Sequence, residues 1–219
     1  MRKNKLGTIV IAAVLVLLSL STMSCSSMKK APRERNETFI ADVNAFDVEV
    51  FHLYTTVNLG KPKISDFYVT FAPRTNYLFF KGRVGADQIR VGFDYKERQS
   101  ITAAVNKYLS DYEAGTIPNA KPTKKNAYSK GNIMIEWGMV GLSHEVDTSY
   151  ITNAQYLEPD KPYFRIFFNS ATEEGEEYVN SPRVSVYISP SQWEKIVEAC
   201  NQERLEEMTD EILAEANAF

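Results

Sequence analysis

Cysteine is almost missing from this chain: Cys25 and Cys200 are the two in 219 residues, which excludes a disulfide-stapled scaffold. Histidine is as scarce, with His52 and His144 far apart and no H-E-x-x-H, so the tight helical His pair of a zinc site is missing. There is no G-x-S-x-G, no P-loop and no C-x-x-C. Long apolar runs are absent too. The longest, residues 6–20, covers only about 22 Å of a roughly 30 Å hydrocarbon layer, too short for a membrane span. The remaining candidates for chemistry are weak. His52 sits in an apolar stretch as a satisfied core or edge group, and His144-Glu145-Val146-Asp147 reads as a loop of solvated charges. Glu173, Glu174, Glu176 and Glu177 flank Gly175 in a long hairpin loop. Acid–base catalysis needs a desolvated site, and calcium binding of the EF-hand type needs a spacing that is not there. The sequence therefore names no catalytic residue, no metal ligand and no cofactor. Cys200 lies at a helical spacing from Ile196 and reads as a small buried apolar side chain.

What is present begins at the first residue. Arg2, Lys3 and Lys5 precede the apolar run, and Ser-Thr-Met-Ser follows it up to Cys25. A basic start, a short apolar stretch and small residues form an export signal. With Thr22, Met23, Ser24 and Cys25 in place, residues 1–25 resemble a bacterial lipoprotein precursor. Thr22 stands where such precursors usually carry Leu, with Leu20 two residues upstream; spirochaete-type lipoproteins accept such looser patterns. The resemblance implies cleavage before Cys25, acylation of its thiol and lipid anchoring to a bacterial membrane, on its periplasmic face or at the cell surface. Ordinary cleavage after Ser24, with Cys25 left unmodified, is the other outcome. Each buried methylene contributes about 0.8 kcal/mol, so two or more acyl chains hold a protein on a membrane essentially permanently.

Removing Arg2, Lys3 and Lys5 takes the formal net charge from −3 to about −6. The charge is uneven: residues 61–98 hold eight basic and four acidic side chains, and residues 171–219 hold three and twelve. The expected organisation is a signal peptide at 1–24, a polar tether at 25–45, a first folded half at 46–115, a loop at 116–130 and a second half at 131–219. The loop carries Pro118, Pro122, Lys121, Lys124, Lys125 and Lys130.

Within the first half, residues 47–57 place apolar side chains on both pleat faces, residues 66–71 and 77–81 form aromatic-rich hairpin partners, and residues 89–93 alternate. Ile101, Ala104, Val105, Tyr108, Leu109 and Tyr112 then mark a helical stripe behind Asp94 and Glu97, a cap-like pair. The second half repeats the plan with strands at 132–140, 149–157, 163–168 and 184–188. Ser189, Pro190 and Gln192 then begin a helix with a capping box. An offset of 95 lays residues 89–106 over 184–201 with four identities. The expected fold is α+β, two similar ββββα halves whose antiparallel sheets are covered by helices. In element order this is similar to the PUR and whirly families, which implies single-stranded nucleic-acid binding as one function to weigh. The aromatic and basic series Tyr68, Phe71, Arg74, Tyr77, Phe79, Lys81, Arg83, Arg90 and Arg98 has the residue types such binding uses.

From Pro190 onwards neither Gly nor another Pro interrupts the chain, so a single long helix of about 42 Å is expected to project past the sheet. Leu205, Met208 and Ile212 on its stripe are the candidate partner-binding residues, for another protein or a second copy. The leading functional reading is an envelope lipoprotein that binds or scaffolds. An exported enzyme or small-ligand receptor, with a site assembled only in three dimensions, is the rival.

Overall fold

The computed structural model describes residues 37–58 and 60–218; the expected signal peptide at 1–24 and Cys25 lie outside them. The elements are β1 (Phe46–Val57), β2 (Lys63–Ala72), β3 (Tyr77–Val84), β4 (Asp87–Phe93), α1 (Tyr95–Glu113), β5 (Ser129–Gly138), β6 (His144–Glu158), β7 (Lys161–Phe168), β8 (Val184–Ile188), α2 (Pro190–Cys200) and α3 (Gln202–Ala216). Neighbouring strands pair antiparallel all the way round, closing one eight-stranded barrel. This corrects the expectation of two ββββα halves with separate helix-covered sheets: the fold is mostly β, with 43% strand against 25% helix. Two pairings make the difference. β4 runs beside β5, with Ile89 opposite Trp137, and β8 returns to β1, with Tyr54 opposite Tyr187. Two open sheets would leave four edges with unpaired amides; closure leaves none.

Strand alternation fills the interior. Phe67, Val69 and Phe71 on β2, Ile89, Val91 and Phe93 on β4, Ile133, Ile135 and Trp137 on β5, and Phe164, Ile166 and Phe168 on β7 point inward. Ile101, Ala104, Val105 and Tyr108 of α1, Trp193 and Ile196 of α2 and Leu205 of α3 belong to the same buried cluster. In an up-and-down barrel β4 and β8 run in the same sense, so α1 and α2 leave from one end and pack into that shared core. Tyr108 and Phe164 form its hub. Their rings lie 5.3 Å apart, Tyr128 and Trp193 pack edge-on at 6.0 and 5.4 Å, and Tyr108 Oη donates to the Pro162 carbonyl at 2.9 Å.

Local capping sets the helix starts. Asp94 accepts from the Glu97 amide at 2.7 Å, and Ser189 with Gln192 completes the reciprocal box ahead of Pro190. The expected continuous C-terminal helix is instead two helices. Asn201 is extended (ψ 153°), its Nδ2 donates to the Glu198 carbonyl ending α2, and its Oδ1 accepts from the Arg204 amide opening α3. Asparagine competes with helical backbone bonds in this way without any Gly or Pro.

The end of the expected tether is docked on the barrel. The Ile40 amide donates to the Pro73 carbonyl, Arg74 bonds Asp42 and Asn44, and Asn76 Nδ2 donates to the Glu37 carbonyl. Asn76 is fully buried at φ +53°, a backbone region open to Asn more readily than to most residues. From α1, Arg98 joins this turn to α3, donating to Asn76 and to Gln202 Oε1. Burial pulls the Arg98 guanidinium down to about 10, which leaves it charged at neutral pH.

Burial also pushes Tyr108, Tyr128 and Tyr150 above the ordinary tyrosine range and the Cys200 thiol up to about 12. Groups whose folded values are raised contribute stability that is intact below their unfolded values, near 9 for the thiol and 10 for the phenols. That stability is lost as pH rises beyond them. Tyrosinate absorbance at 295 nm from these three residues is therefore expected to appear together with loss of the barrel's circular dichroism above pH 10. Full ionisation of all tyrosines in a still-folded barrel would count against this packing.

Candidate functional site

Because the interior is filled with side chains, surface chemistry sits on the outward positions. Across β1 and β2 these pair as Val50 with Tyr68, His52 with Asp66, and Tyr54 with Ile64. Val50, Ile64 and Tyr68 are 39, 63 and 56% exposed, values high for apolar groups on a folded surface. Between the two apolar pairs His52 Nδ1 lies 2.6 Å from Asp66 Oδ1. On β3, Lys81 stands opposite Tyr68, and Tyr77 stacks on Phe79 with ring centroids 5.6 Å apart. Arg90 of β4 covers the Phe79 ring at 4.8 Å and bonds Glu136 of β5 through Nε at 2.7 Å. Its charge is thereby compensated. Lys81 and Arg83 are exposed, and among the described residues no carboxylate pairs with either. The result is an aromatic and basic face on β1–β3.

Strand geometry explains why the outer side chains line up. The turn between β3 and β4 uses Gly85 at φ +72°, a left-handed conformation in which a side chain is strained. It fixes Lys81 opposite Arg90, which keeps basic groups of two strands on one face.

The structure divides the aromatic and basic series. Tyr68, Tyr77, Phe79, Lys81, Arg83 and Arg90 face outward, Phe71 is buried in the core, Arg74 holds Asp42, and Arg98 is spent on Asn76 and Gln202. His52, expected as a satisfied core or edge group, lies on the outer surface of β1 with Asp66 as its partner. The His144-Glu145-Val146-Asp147 stretch, expected as loop, opens β6. There the His144 ring stacks on Trp137 and Nδ1 meets Glu173 Oε2 at 2.8 Å, tying the acidic loop to the barrel. Among the described residues no group of three or more His, Cys, Asp or Glu could hold a metal ion.

Of the expected partner-binding residues, Leu205 is fully buried within its own domain, while Met208 and Ile212 are half-buried on α3. Cys200 is partly buried beside Arg98, with its thiol held protonated at neutral pH. Among the described residues no helix is long and apolar enough to cross a membrane. Sequence reasoning missed the exposed face of β1–β2, although Val50, Ile64 and Tyr68 were visible as apolar residues two positions from His52 or Asp66. The missing information was which side the helices would leave open.

Comparison with known proteins gives two matches. A protein of Treponema pallidum (strain Nichols), described as "Uncharacterized protein", is 26% identical over 214 residues, which is 98% of this chain and 73% of the relative. No solved structure matches. A family model described as "Uncharacterised Treponema protein" matches residues 24–207. That match spans most of the chain and the whole barrel, so the chain belongs to this Treponema protein family.

Proposed function

We infer that the protein is a cell-envelope lipoprotein, anchored to a bacterial membrane through acyl chains on Cys25, whose barrel binds or scaffolds another envelope component. The observation that carries the binding reading is the outer face of β1–β3, where Val50, Ile64 and Tyr68 are exposed beside uncompensated Lys81 and Arg83. Outward barrel positions normally meet water and carry polar groups; an apolar patch with a charged rim marks an interaction surface. Its chemistry suits an acidic partner with apolar anchors. Electrostatic attraction would speed the encounter and Tyr68 would supply buried area.

One further observation supports anchoring by lipid. The barrel is apolar inside and carries charged groups outside, the reverse of a membrane-spanning barrel, so contact with a membrane would need an anchor. On α3, Met208 and Ile212 offer a lesser surface for a partner or second copy, without Leu205.

The test is a photo-crosslinking amino acid placed at Tyr68 in whole cells, with Tyr112 of α1, also exposed, as the control position. Discrete adducts are expected at Tyr68, reduced several-fold by Lys81→Glu, with few at Tyr112. Equal adduct patterns at both positions, or none at Tyr68, would remove this face as the binding surface.

A further inference from the structure

On the far side of the barrel a second surface carries uncompensated positive charge. Lys121, Lys124 and Lys125 lie in the segment between α1 and β5, and Lys130 points outward from β5. All four are exposed, and none pairs with a carboxylate among the described residues, whereas Lys107 and Lys161 are held by Asp111 and Glu158. In a mature chain that is acidic overall, four free ammonium groups in ten residues are an uneven distribution.

These lysines do not hang from a loose loop. Asn153 of β6, 2% exposed, donates through Nδ2 to the Thr123 carbonyl and to Asn126, at 3.0–3.1 Å. Asn126 in turn accepts from the Thr123 amide at 2.7 Å and donates to the Lys121 carbonyl at 3.1 Å. The loop is thus pinned flat on the sheet. Beside it lies a depression of about 290 Å³, whose lining includes Lys124, Lys130, Asn132, Ser149, Ile151 and Asn169. This is near the lower end of small-ligand sites, which run from about 300 Å³ upward. Glu97 approaches from the inner side of β5. A Cβ on Gly131 would lie 2.6 Å from its carboxylate, and that carboxylate accepts from Tyr150 Oη at 2.5 Å. Its charge is therefore turned inward and engaged.

Two ammonium groups on a pinned loop and strand, with the Asn132 amide and the Ser149 hydroxyl between them, form an anion site for which little loop entropy remains to be lost on binding. We propose that this depression binds a phosphate group, either free in solution or carried by the headgroup of an anionic phospholipid. It is independent of the β1–β3 face and of the chemistry at Cys25.

The test uses the purified full chain in neutral detergent micelles. Calorimetric titration with inorganic phosphate forms one arm. The other compares micelles doped with phosphatidylglycerol against micelles doped with phosphatidylcholine. Saturable binding is expected, weakened about tenfold or more in Lys124→Gln/Lys130→Gln and unchanged in Lys161→Gln, as expected when charge-assisted hydrogen bonds are removed. Binding of free phosphate identifies a soluble anion; binding of phosphatidylglycerol alone identifies a headgroup. Absence of saturable binding in both arms, or equal affinity in the double variant, overturns the proposal.

Discussion

Phe164→Ala is expected to lower unfolding stability by about 3–5 kcal/mol, the range for removing a large aromatic from a close-packed core. Phe164 is fully buried and touches three rings from different parts of the chain: Tyr108 of α1, Tyr128 ahead of β5 and Trp193 of α2. Those neighbours are fixed by other contacts, including the Tyr108 bond to Pro162, so they cannot collapse far into the vacated volume. The loss should be larger than for a surface change. Ile64→Ala, at an exposed outward position, should stay within about 0.5 kcal/mol of the unchanged protein. Urea unfolding of both variants checks the claim that helices and barrel share one core. If Phe164→Ala unfolds like Ile64→Ala, or if strands and helices melt in separate transitions, that claim is wrong.

Much of the local structure was legible because its causes are local. The alternation of Val184, Val186 and Ile188, the Ser189 and Gln192 box with Pro190, and the stripe from Ile101 to Tyr108 follow from neighbouring side chains and backbone groups. Closure was not legible. Ile89 finds Trp137 and Tyr54 finds Tyr187 across long stretches of chain, and nothing in either strand specifies the other. The repeat-like offset of 95 encouraged two separate sheets, whereas edge pairing joined all eight strands. The apolar side chains on both faces of β1 implied a strand covered on both sides, yet Val50 is exposed and His52 bonds Asp66 outside. The Asn201 break left a faint signal, an amide residue shortly ahead of Glu203, that the unbroken apolar series through Leu205 masked.

The surfaces were legible in part. The lysines of 121–130 stood out as composition, but the depression they frame draws Ser149 from β6 and Asn169 from beyond β7, and it is pinned by Asn153. Such a site exists only once the register of β5, β6 and β7 is set. The face on β1–β3 is similar: Tyr68 and Lys81 become neighbours by cross-strand pairing, which a linear reading of aromatic and basic residues cannot distinguish from core packing.

Anchoring through Cys25 is the claim on which the envelope assignment rests, and its expected effect is all-or-none. Two or more acyl chains, at about 0.8 kcal/mol per buried methylene, leave essentially no free protein, whereas removing the thiol leaves nothing to acylate. Cys200 cannot substitute, since its thiol is partly buried and held protonated. The direct measurement is labelled-palmitate incorporation and detergent-phase partition in cells that make either the wild-type chain or Cys25→Ala. The account predicts label and detergent partition for the wild type and neither for the variant. Equal labelling of both, or an unlabelled wild type recovered entirely in the aqueous phase, would contradict it.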